Sequence, residues 1–262
     1  MPAKPLIAYR AWRETRSIHR FERRHVTHHY AERELTLLLA DRVGESWYDK
    51  DWQEPAEIAT LRKGQLRPGA TVFNAGAHQG VVAMMLAERV GPTGKVVAVE
   101  LNQHNAEVAE WNARKNQFEN LLIVHAAVGQ GSAPILTNGN LNGQVTHRFG
   151  ATTGQMAAMI TIDELTLEHG VPQVLYVDVE GYEAQVLAGA KSSLLHQPDC
   201  FIEVHVGCGL ESFGGTVDEI LTYFPADRFE RMCAREGEPF QPLATCPPHT
   251  IEGRFYLIAI AR

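Results

Sequence analysis

The chain has 262 residues, enough for one large α/β domain with an appendage, and its hydrophobic content of 45% is that of an ordinary globular protein. Its apolar runs are too short to cross a bilayer, and residues 1–18 hold no apolar signal-peptide core. Its four cysteines (Cys200, Cys208, Cys233 and Cys246) show no CxxC spacing, so we expect free thiols in a soluble, cytoplasmic protein.

Charge is unevenly distributed along the chain. The formal net charge is −7, yet residues 1–29 hold seven Lys and Arg against two Glu, a local charge of +5 that leaves −12 for the remainder. Such a basic arm can contact an anionic substrate, a nucleic acid or a second subunit. The alternative, which we favour, is a solvated helix whose arginines pair with the acidic body. We therefore expect no nucleic-acid or membrane partner, and the oligomeric state stays open.

The first predicted elements are helices. Residues from about Ala11 to Ala40 fit a helix with a strongly apolar end, and Gly44-Glu45-Ser46 is expected to break it. A second helix is predicted over Glu54–Arg62, before a turn at Arg67-Pro68-Gly69. We accordingly divide the chain into an N-terminal helical arm or lid, residues 1–66, and a main domain, residues 67–262.

Strands and helices alternate through the main domain. The predicted strands are Ala70–Phe73, Lys95–Val99, Leu121–His125, Ile160–Ile162, Gln173–Val177, Phe201–Val204 and Phe255–Ile260. The predicted helices are Val81–Val90, Asn105–Lys115, one opened by Asp163, Tyr182–Leu187 and Val217–Tyr223. A Gly-, Asn- and Thr-rich stretch, Gly129–Gly154, is expected to form a hairpin or loop beside the sheet. The alternation predicts a mostly parallel sheet with helices on both faces, whose ligands lie beyond the carboxyl ends of its strands.

One of these strand ends carries a nucleoside-binding signature. The first strand of the domain runs through Asn74-Ala75-Gly76-Ala77-His78-Gln79-Gly80 into a helix, and Glu100 ends the next strand about twenty positions later. Glycines let the backbone approach a ligand closely, and a carboxylate at the following strand end can accept both hydroxyls of a ribose.

Three further sequence segments help to identify which kind of nucleoside the site binds. They are Thr161-Ile162-Asp163-Glu164-Leu165, then Tyr176-Val177-Asp178-Val179-Glu180-Gly181-Tyr182-Glu183, and finally Phe201-Ile202-Glu203-Val204-His205. With these four motifs in order over roughly Gly69 to His205, the chain resembles the FkbM family of S-adenosylmethionine-dependent methyltransferases. The resemblance implies a Rossmann-like class I methyltransferase fold with a seven-stranded sheet, here preceded by an N-terminal helical extension.

The resemblance also implies a donor site. Gly76, Ala77 and Gly80 would shape the loop under the methionine part, and Glu100 would bind the ribose. Leu101 and Asn102 would contact one face of the adenine, with Ala126 and Ala127 at the other. The family motif usually has Asp and Asn where this chain has Asn74 and His78, and Asn74 can orient a water molecule or the amino group of the donor but supplies no charge. Each residue also has an ordinary structural interpretation, as a turn glycine, a strand-end acid or a core alanine.

Transfer of a methyl group to a hydroxyl calls for alignment and a general base. Asp178, Glu203 and His205 follow neighbouring strand ends, and His205 is the natural base because imidazole can be neutral near pH 7. Asp178 can instead steady the sulfonium or amino group of the donor, and Asp178 or Glu180 can simply cap a helix. Glu203 and His205 share one face of a strand, which is either a site or a buried pair. A divalent metal held by Asp178, Glu203 and His205 is conceivable but not favoured, so we predict no metal ligands.

These inferences predict an O-methyltransferase acting on a hydroxyl of a small or medium metabolite, such as a sugar or a polyketide-like natural product. An RNA methyltransferase that uses the basic arm, and a non-catalytic donor-binding protein, are the alternatives. Trp47, Tyr48 and Trp52 can line an aromatic lid over the acceptor, or pack as a hinge. The sequence does not identify the acceptor.

Overall fold

The first elements of the chain form a β-hairpin, which corrects the continuous helix predicted from Ala11 to Ala40. The structure is a computed structural model that describes residues 16–137, 141, 156–246 and 253–262. Strands β1 (Arg24–Tyr30) and β2 (Arg33–Leu39) pair antiparallel. The buried leucines Leu35, Leu37 and Leu39 alternate along β2 with a period of two. The helical prediction failed because a run of leucines satisfies the helical and strand periods equally well.

Two short helices follow the hairpin. Helix α1 (Arg42–Tyr48) includes Gly44, Glu45 and Ser46, so these residues do not break a helix as predicted. Asp41 caps α1, because its carboxylate accepts a 2.8 Å hydrogen bond from the backbone N–H of Gly44. A Cβ atom at Gly44 would collide with the side chain of Gln79, which gives this helical glycine a packing role. Helix α2 (Ala56–Leu61) lies within the predicted range.

A mostly parallel sheet forms the body of the protein, as predicted. Its helices and strands after the N-terminal region are β3 (Thr71–Ala75), α3 (Val81–Val90), β4 (Lys95–Glu100), α4 (Gln103–Lys115), β5 (Leu121–His125), β6 (Ala127–Val128), β7 (Ile135–Leu136), β8 (Met156–Ala157), β9 (Met159–Ile160), α5 (Ile162–His169), β10 (Val174–Val177), α6 (Glu183–Ala188), α7 (Lys191–Leu194), β11 (Asp199–Val206), α8 (Val217–Thr222), β12 (Phe229–Ala234), β13 (Gln241–Pro242) and β14 (Gly253–Ala261). The strand order is β13-β12-β14-β11-β10-β3-β4-β5. The neighbouring strands β11, β10, β3, β4 and β5 run parallel to one another. Strand β14 is antiparallel to both of its neighbours, β11 and β12.

Both faces of the sheet are buried. Phe73 and Ala75 of β3 pack in one hydrophobic cluster, and their neighbour Val72 packs in the other. The second cluster also contains Leu35 and Leu37, so the hairpin covers part of the same face as α3. Residues from both sides of the predicted domain boundary, 1–66 and 67–262, pack in this cluster, and the boundary itself stays a prediction.

The predicted excursion after β5 is described in part. Strand β7 pairs antiparallel with β8, and β6 pairs in parallel with β9, which starts earlier than the predicted strand Ile160–Ile162. Thr161 instead caps helix α5, where it forms a reciprocal capping box with Glu164. Residues 138–140 and 142–155 of the excursion lie outside the described part of the chain.

The prediction of four free thiols is wrong for two cysteines. Cys233 and Cys246 form a disulfide, while Cys200 and Cys208 are free. Location in the cytoplasm, which rested partly on free thiols, stays a prediction. None of the helices in the described part of the chain has both the length and the apolar character that crossing a bilayer requires.

Candidate functional site

A cleft opens at the carboxyl ends of the central strands, where a ligand site was predicted. The space in and immediately in front of the cleft amounts to about 610 Å³, a figure that includes open solvent. Seven predicted residues line it: Gly76, His78, Glu100, Leu101, Ala126, Ala127 and Asp178. The neighbouring parallel strands β10, β3, β4 and β5 bring these residues together, since their carboxyl ends meet at one edge of the sheet.

Glu100 is held in position by backbone groups. The N–H of His78 donates a 2.7 Å hydrogen bond to Glu100 Oε2, and the N–H of Asn102 donates a 2.7 Å bond to Glu100 Oε1. The side chain is buried, and this burial raises its pKa from the ordinary 4.5 to about 7, against the lowering effect of hydrogen bonds from the backbone of Asn102, His78 and Leu101 and from the Asn105 side chain.

His78 links the cleft to the N-terminal region. Its backbone has a φ of 48°, a left-handed conformation that is uncommon for residues other than glycine, and its N–H donates to Glu100. Its Nδ1 atom lies 2.9 Å from the hydroxyl of Tyr48, and its ring centre lies 4.8 Å from that of Trp47. Burial lowers the pKa of His78 to about 4, so the ring is neutral at physiological pH.

Close backbone contacts occur at two glycines of the predicted motifs, of which Gly76 lines the cleft. Gly76 has a φ of 87°, and a Cβ atom there would overlap the backbone carbonyl of Asp178 on the neighbouring strand end. Gly181 packs in the same way against the backbone of Gly209, where a Cβ would approach within 2.5 Å of the Gly209 Cα. These positions accept only glycine, because two backbones meet there.

Four predicted donor-site residues lie behind the lining of the cleft. Gly80 is the N-cap residue of α3, and the side chain of Ala77 is buried. Asn102 caps α4 through its side chain, a 3.2 Å bond from the N–H of Asn105, while its own N–H supports Glu100. Asn74 is 1% exposed, and neither polar atom of its amide forms a hydrogen bond within the described chain. Their roles toward a ligand stay predictions.

The three predicted catalytic residues lie together at one wall of the cleft. We call Asp178, Glu203 and His205 the acid–histidine cluster; one ligand atom from each lies within 4.8 Å of the others. Asp178 follows β10, and Glu203 and His205 lie on the adjacent parallel strand β11. Asp178 lines the cleft, whereas Glu203 and His205 are buried beside it.

The electrostatics of the cluster correct the expectation that His205 is neutral near pH 7. Burial lowers its pKa, but a 2.8 Å hydrogen bond to Glu183 and the carboxylates of Glu183, Asp178 and Glu180 outweigh this effect and raise the pKa to about 9. Burial, with the nearby Glu203 charge, raises the pKa of Asp178 well above its usual range. His205 is therefore largely protonated near neutral pH and unsuited to accept a proton, which leaves the carboxyl groups of Asp178 and Glu203 as the candidate bases.

Six lining residues were not among the predicted site residues: Trp47, Val99, Val128, Val179, Glu180 and Tyr182. Trp47 had been considered for a lid, and it is 38% exposed at the rim of the cleft. Val179, Glu180 and Tyr182 belong to the same motif as Asp178, so extending the site along that motif would have found them. Val99 and Val128 carry no polar signal, and only the fold reveals their place.

Comparison with known proteins finds a matching family and several similar proteins. Residues 74–231 match the family described as methyltransferase FkbM domain. A probable cobalt-precorrin-6B C(15)-methyltransferase (decarboxylating) of Sulfolobus acidocaldarius is 26% identical over 148 residues, covering 52% of this chain and 74% of that protein. A SAM-dependent O-methyltransferase structure from Thermotoga maritima is 13% identical, with a TM-score of 0.47 over 87% of this chain and 74% of that one. A precorrin-6y C5,15-methyltransferase structure from Geobacter metallireducens GS-15 is 12% identical, with a TM-score of 0.45 over 80% and 88%.

Proposed function

This chain belongs to the methyltransferase FkbM domain family and is an S-adenosylmethionine-dependent methyltransferase, and on that premise we propose that it methylates a hydroxyl group of a small or medium metabolite. A sugar or a polyketide-like natural product is the class of acceptor that we expect. When bound, the donor supplies an electrophilic methyl group on a sulfonium. The chain's own residues must bind the donor, align the acceptor and remove a proton.

The residues of the cleft fit such a donor. The buried carboxylate of Glu100 has both oxygens fixed by backbone N–H groups and can accept hydrogen bonds from two ribose hydroxyls. Ala126 and Ala127 present small side chains on the cleft wall, which leaves room for a flat ring. The carboxylates of Asp178 and Glu180 line the same cleft and favour a positively charged group there.

The observation that carries the proposal is the position of Asp178. It lines the same cleft as Glu100, its Oδ1 atom has no hydrogen-bond partner among the described residues, and its pKa is raised. A carboxylate of raised pKa is a competent general base for a hydroxyl. In the proposed reaction the acceptor oxygen forms a bond to the methyl carbon as the carbon–sulfur bond breaks, and the hydroxyl proton passes to Asp178.

The charges of the N-terminal region support a metabolite acceptor over RNA. Arg24 pairs with Glu45 at 2.7 Å and also with Asp49, and His28 Nε2 lies 2.9 Å from Asp49. Basic groups engaged in this way have less charge to offer to phosphates. Residues 1–15 of the arm lie outside the described part.

The test uses purified protein and donor labelled in its methyl group. A panel of hydroxylated sugars and polyketides is compared with matched amines and with a short RNA, and the products are analysed by mass spectrometry. The proposal expects label in hydroxylated acceptors, bound through an ether oxygen. Label found only in amines or in RNA, or donor binding with no transfer to any acceptor, would contradict the proposal.

A further inference from the structure

The acid–histidine cluster has the arrangement of a metal-binding site. Its ligand atoms, one each from Asp178, Glu203 and His205, lie within 4.8 Å of one another at the carboxyl ends of β10 and β11. Two of the residues are buried and the third lines the cleft. The cluster therefore reaches from the interior to the space where a methyl acceptor would bind.

The imidazole of His205 is held by a hydrogen bond in the way that a metal-binding histidine is. Its Nδ1 atom lies 2.8 Å from Glu183 Oε1, a fully buried carboxylate oxygen that also accepts a 2.7 Å bond from the N–H of Gly181. Because a carboxylate oxygen only accepts, Nδ1 carries the hydrogen. A histidine whose other nitrogen donates to a carboxylate is the usual arrangement of a metal-bound imidazole.

The second nitrogen of His205 has no hydrogen bond of its own. Its side chain is 5% exposed, and Nε2 has no hydrogen-bond partner within the part of the chain that the structure describes. The charged oxygens near it are Glu203 Oε1 at 3.7 Å and Glu180 Oε2 at 3.8 Å. A buried polar atom without a partner is costly, so this nitrogen points to a group that binds between it and the carboxylates.

The separations suit a shared cation. Ligands that each lie roughly 2.1 Å from one ion are about 3 to 4.2 Å apart. The 3.7 Å between His205 Nε2 and Glu203 Oε1 falls in this range, and the 4.8 Å limit of the cluster exceeds it by roughly half an ångström, a movement that side-chain rotation supplies. An imidazole together with two carboxylates favours a first-row transition metal over Ca²⁺ or Mg²⁺.

The guanidinium of Arg254 would compete with a cation for the carboxylate of Glu203. Its Nη1 atom lies 3.1 Å from Glu203 Oε1, and its Nη2 atom lies 2.6 Å from Glu236 Oε2. The Arg254 side chain is 45% exposed, so it can remain paired with Glu236 when Glu203 turns to a cation. Removal of this positive charge should therefore make cation binding tighter.

We propose that Asp178, Glu203 and His205 bind one divalent first-row metal ion, such as Mn²⁺, at the wall of the cleft. Glu183 is the positioning residue that orients His205. The use of the ion, to hold the acceptor oxygen and make its hydroxyl more acidic, rests on the proposed function. The binding site itself does not depend on it.

The experiment is a titration of Mn²⁺ into the chelator-treated full chain at pH 8, with free ion measured by electron paramagnetic resonance. Binding of a cation displaces any proton from Nε2, so the titration is done on the alkaline side of neutrality. We expect one saturable site per chain, weakened at least about tenfold in His205→Gln. His196→Gln, at an exposed histidine, should bind Mn²⁺ like the wild type.

Arg254→Gln should bind Mn²⁺ several-fold more tightly, a gain that misfolding cannot produce. No saturable binding to the wild type, or equal affinity in wild type and His205→Gln, would overturn the proposal. Calorimetry with S-adenosylmethionine on the same samples separates the two claims. Mn²⁺ binding without donor binding would contradict the proposed function but support the metal site. Donor binding without Mn²⁺ binding would overturn the metal site and leave the proposed function unaffected.

Discussion

The backbone N–H of His78 donates a 2.7 Å hydrogen bond to Glu100 Oε2, so a turn after β3 positions the acid that ends β4. The N–H of Asn102 donates a second 2.7 Å hydrogen bond, to Glu100 Oε1. Glu100 is thereby fixed before any ligand binds, and such preorganisation lowers the entropic cost of binding.

Glu100→Gln should weaken S-adenosylmethionine binding by at least about tenfold, because charge-assisted hydrogen bonds contribute roughly 1.5–3 kcal/mol each. Isothermal titration calorimetry measures the effect. Glu107→Gln, at an exposed position of α4, is the matched control and should bind normally. Equal affinities in the two variants would refute the ribose assignment.

Donor affinity should also depend on pH through Glu100. Its pKa of about 7 in the free protein means that the carboxyl is largely protonated below pH 7 and ionised above it. Since the ionised form accepts both hydroxyls, affinity should rise about tenfold per pH unit up to pH 7 and then level off. Binding curves from pH 5.5 to 8.5 test this, with Glu100→Gln as the reference. A dependence that persists unchanged in that variant would have another source.

Gly76→Ala should strongly destabilise the fold. The new Cβ atom would overlap the carbonyl of Asp178 at a φ of 87°, at a cost of about 3 kcal/mol or more. Gly91→Ala isolates the contribution of backbone strain, since Gly91 has a φ of 64° and nothing within 4 Å of its added Cβ. Thermal unfolding should rank the wild type first, then Gly91→Ala, then Gly76→Ala. If both variants melt at the same temperature, the close backbone contact is not limiting.

Asp178→Asn should lower kcat by at least about a hundredfold, the usual contribution of a general base, and change donor affinity much less. Asp227→Asn, at an exposed position, is the control. Steady-state kinetics with the acceptor identified in the panel would measure kcat, with calorimetry for the donor. A variant with near-normal kcat would exclude Asp178 as the base.

Trp47→Ala should raise the KM of the acceptor about tenfold with a smaller effect on kcat, because the indole lies at the rim of the cleft against His78. Trp111→Ala removes an indole that stacks on a different histidine, His25, at 4.7 Å and lies outside the cleft lining. The two variants are compared by initial rates. Similar effects from both would mean that Trp47 acts through general stability.

The sequence allowed prediction of the central sheet and the cleft, because strand-forming runs and strand-end glycines and acids are local signals. Val81–Val90 and Leu121–His125 were predicted with their observed bounds. The β1–β2 hairpin was missed, since the leucines of β2 fit both the helical and the strand period. The state of His205 was also missed, because its pKa is set by Glu183 and Asp178, which only the fold brings beside it.

A crystal structure with S-adenosylhomocysteine bound is the most direct test of the account. We predict that both ribose hydroxyls lie within hydrogen-bond distance of the Glu100 carboxylate, with the adenine beside Ala126 and Ala127 and the sulfur facing Asp178. A nucleoside bound elsewhere, or a Glu100 side chain turned away from the ribose, would contradict the account.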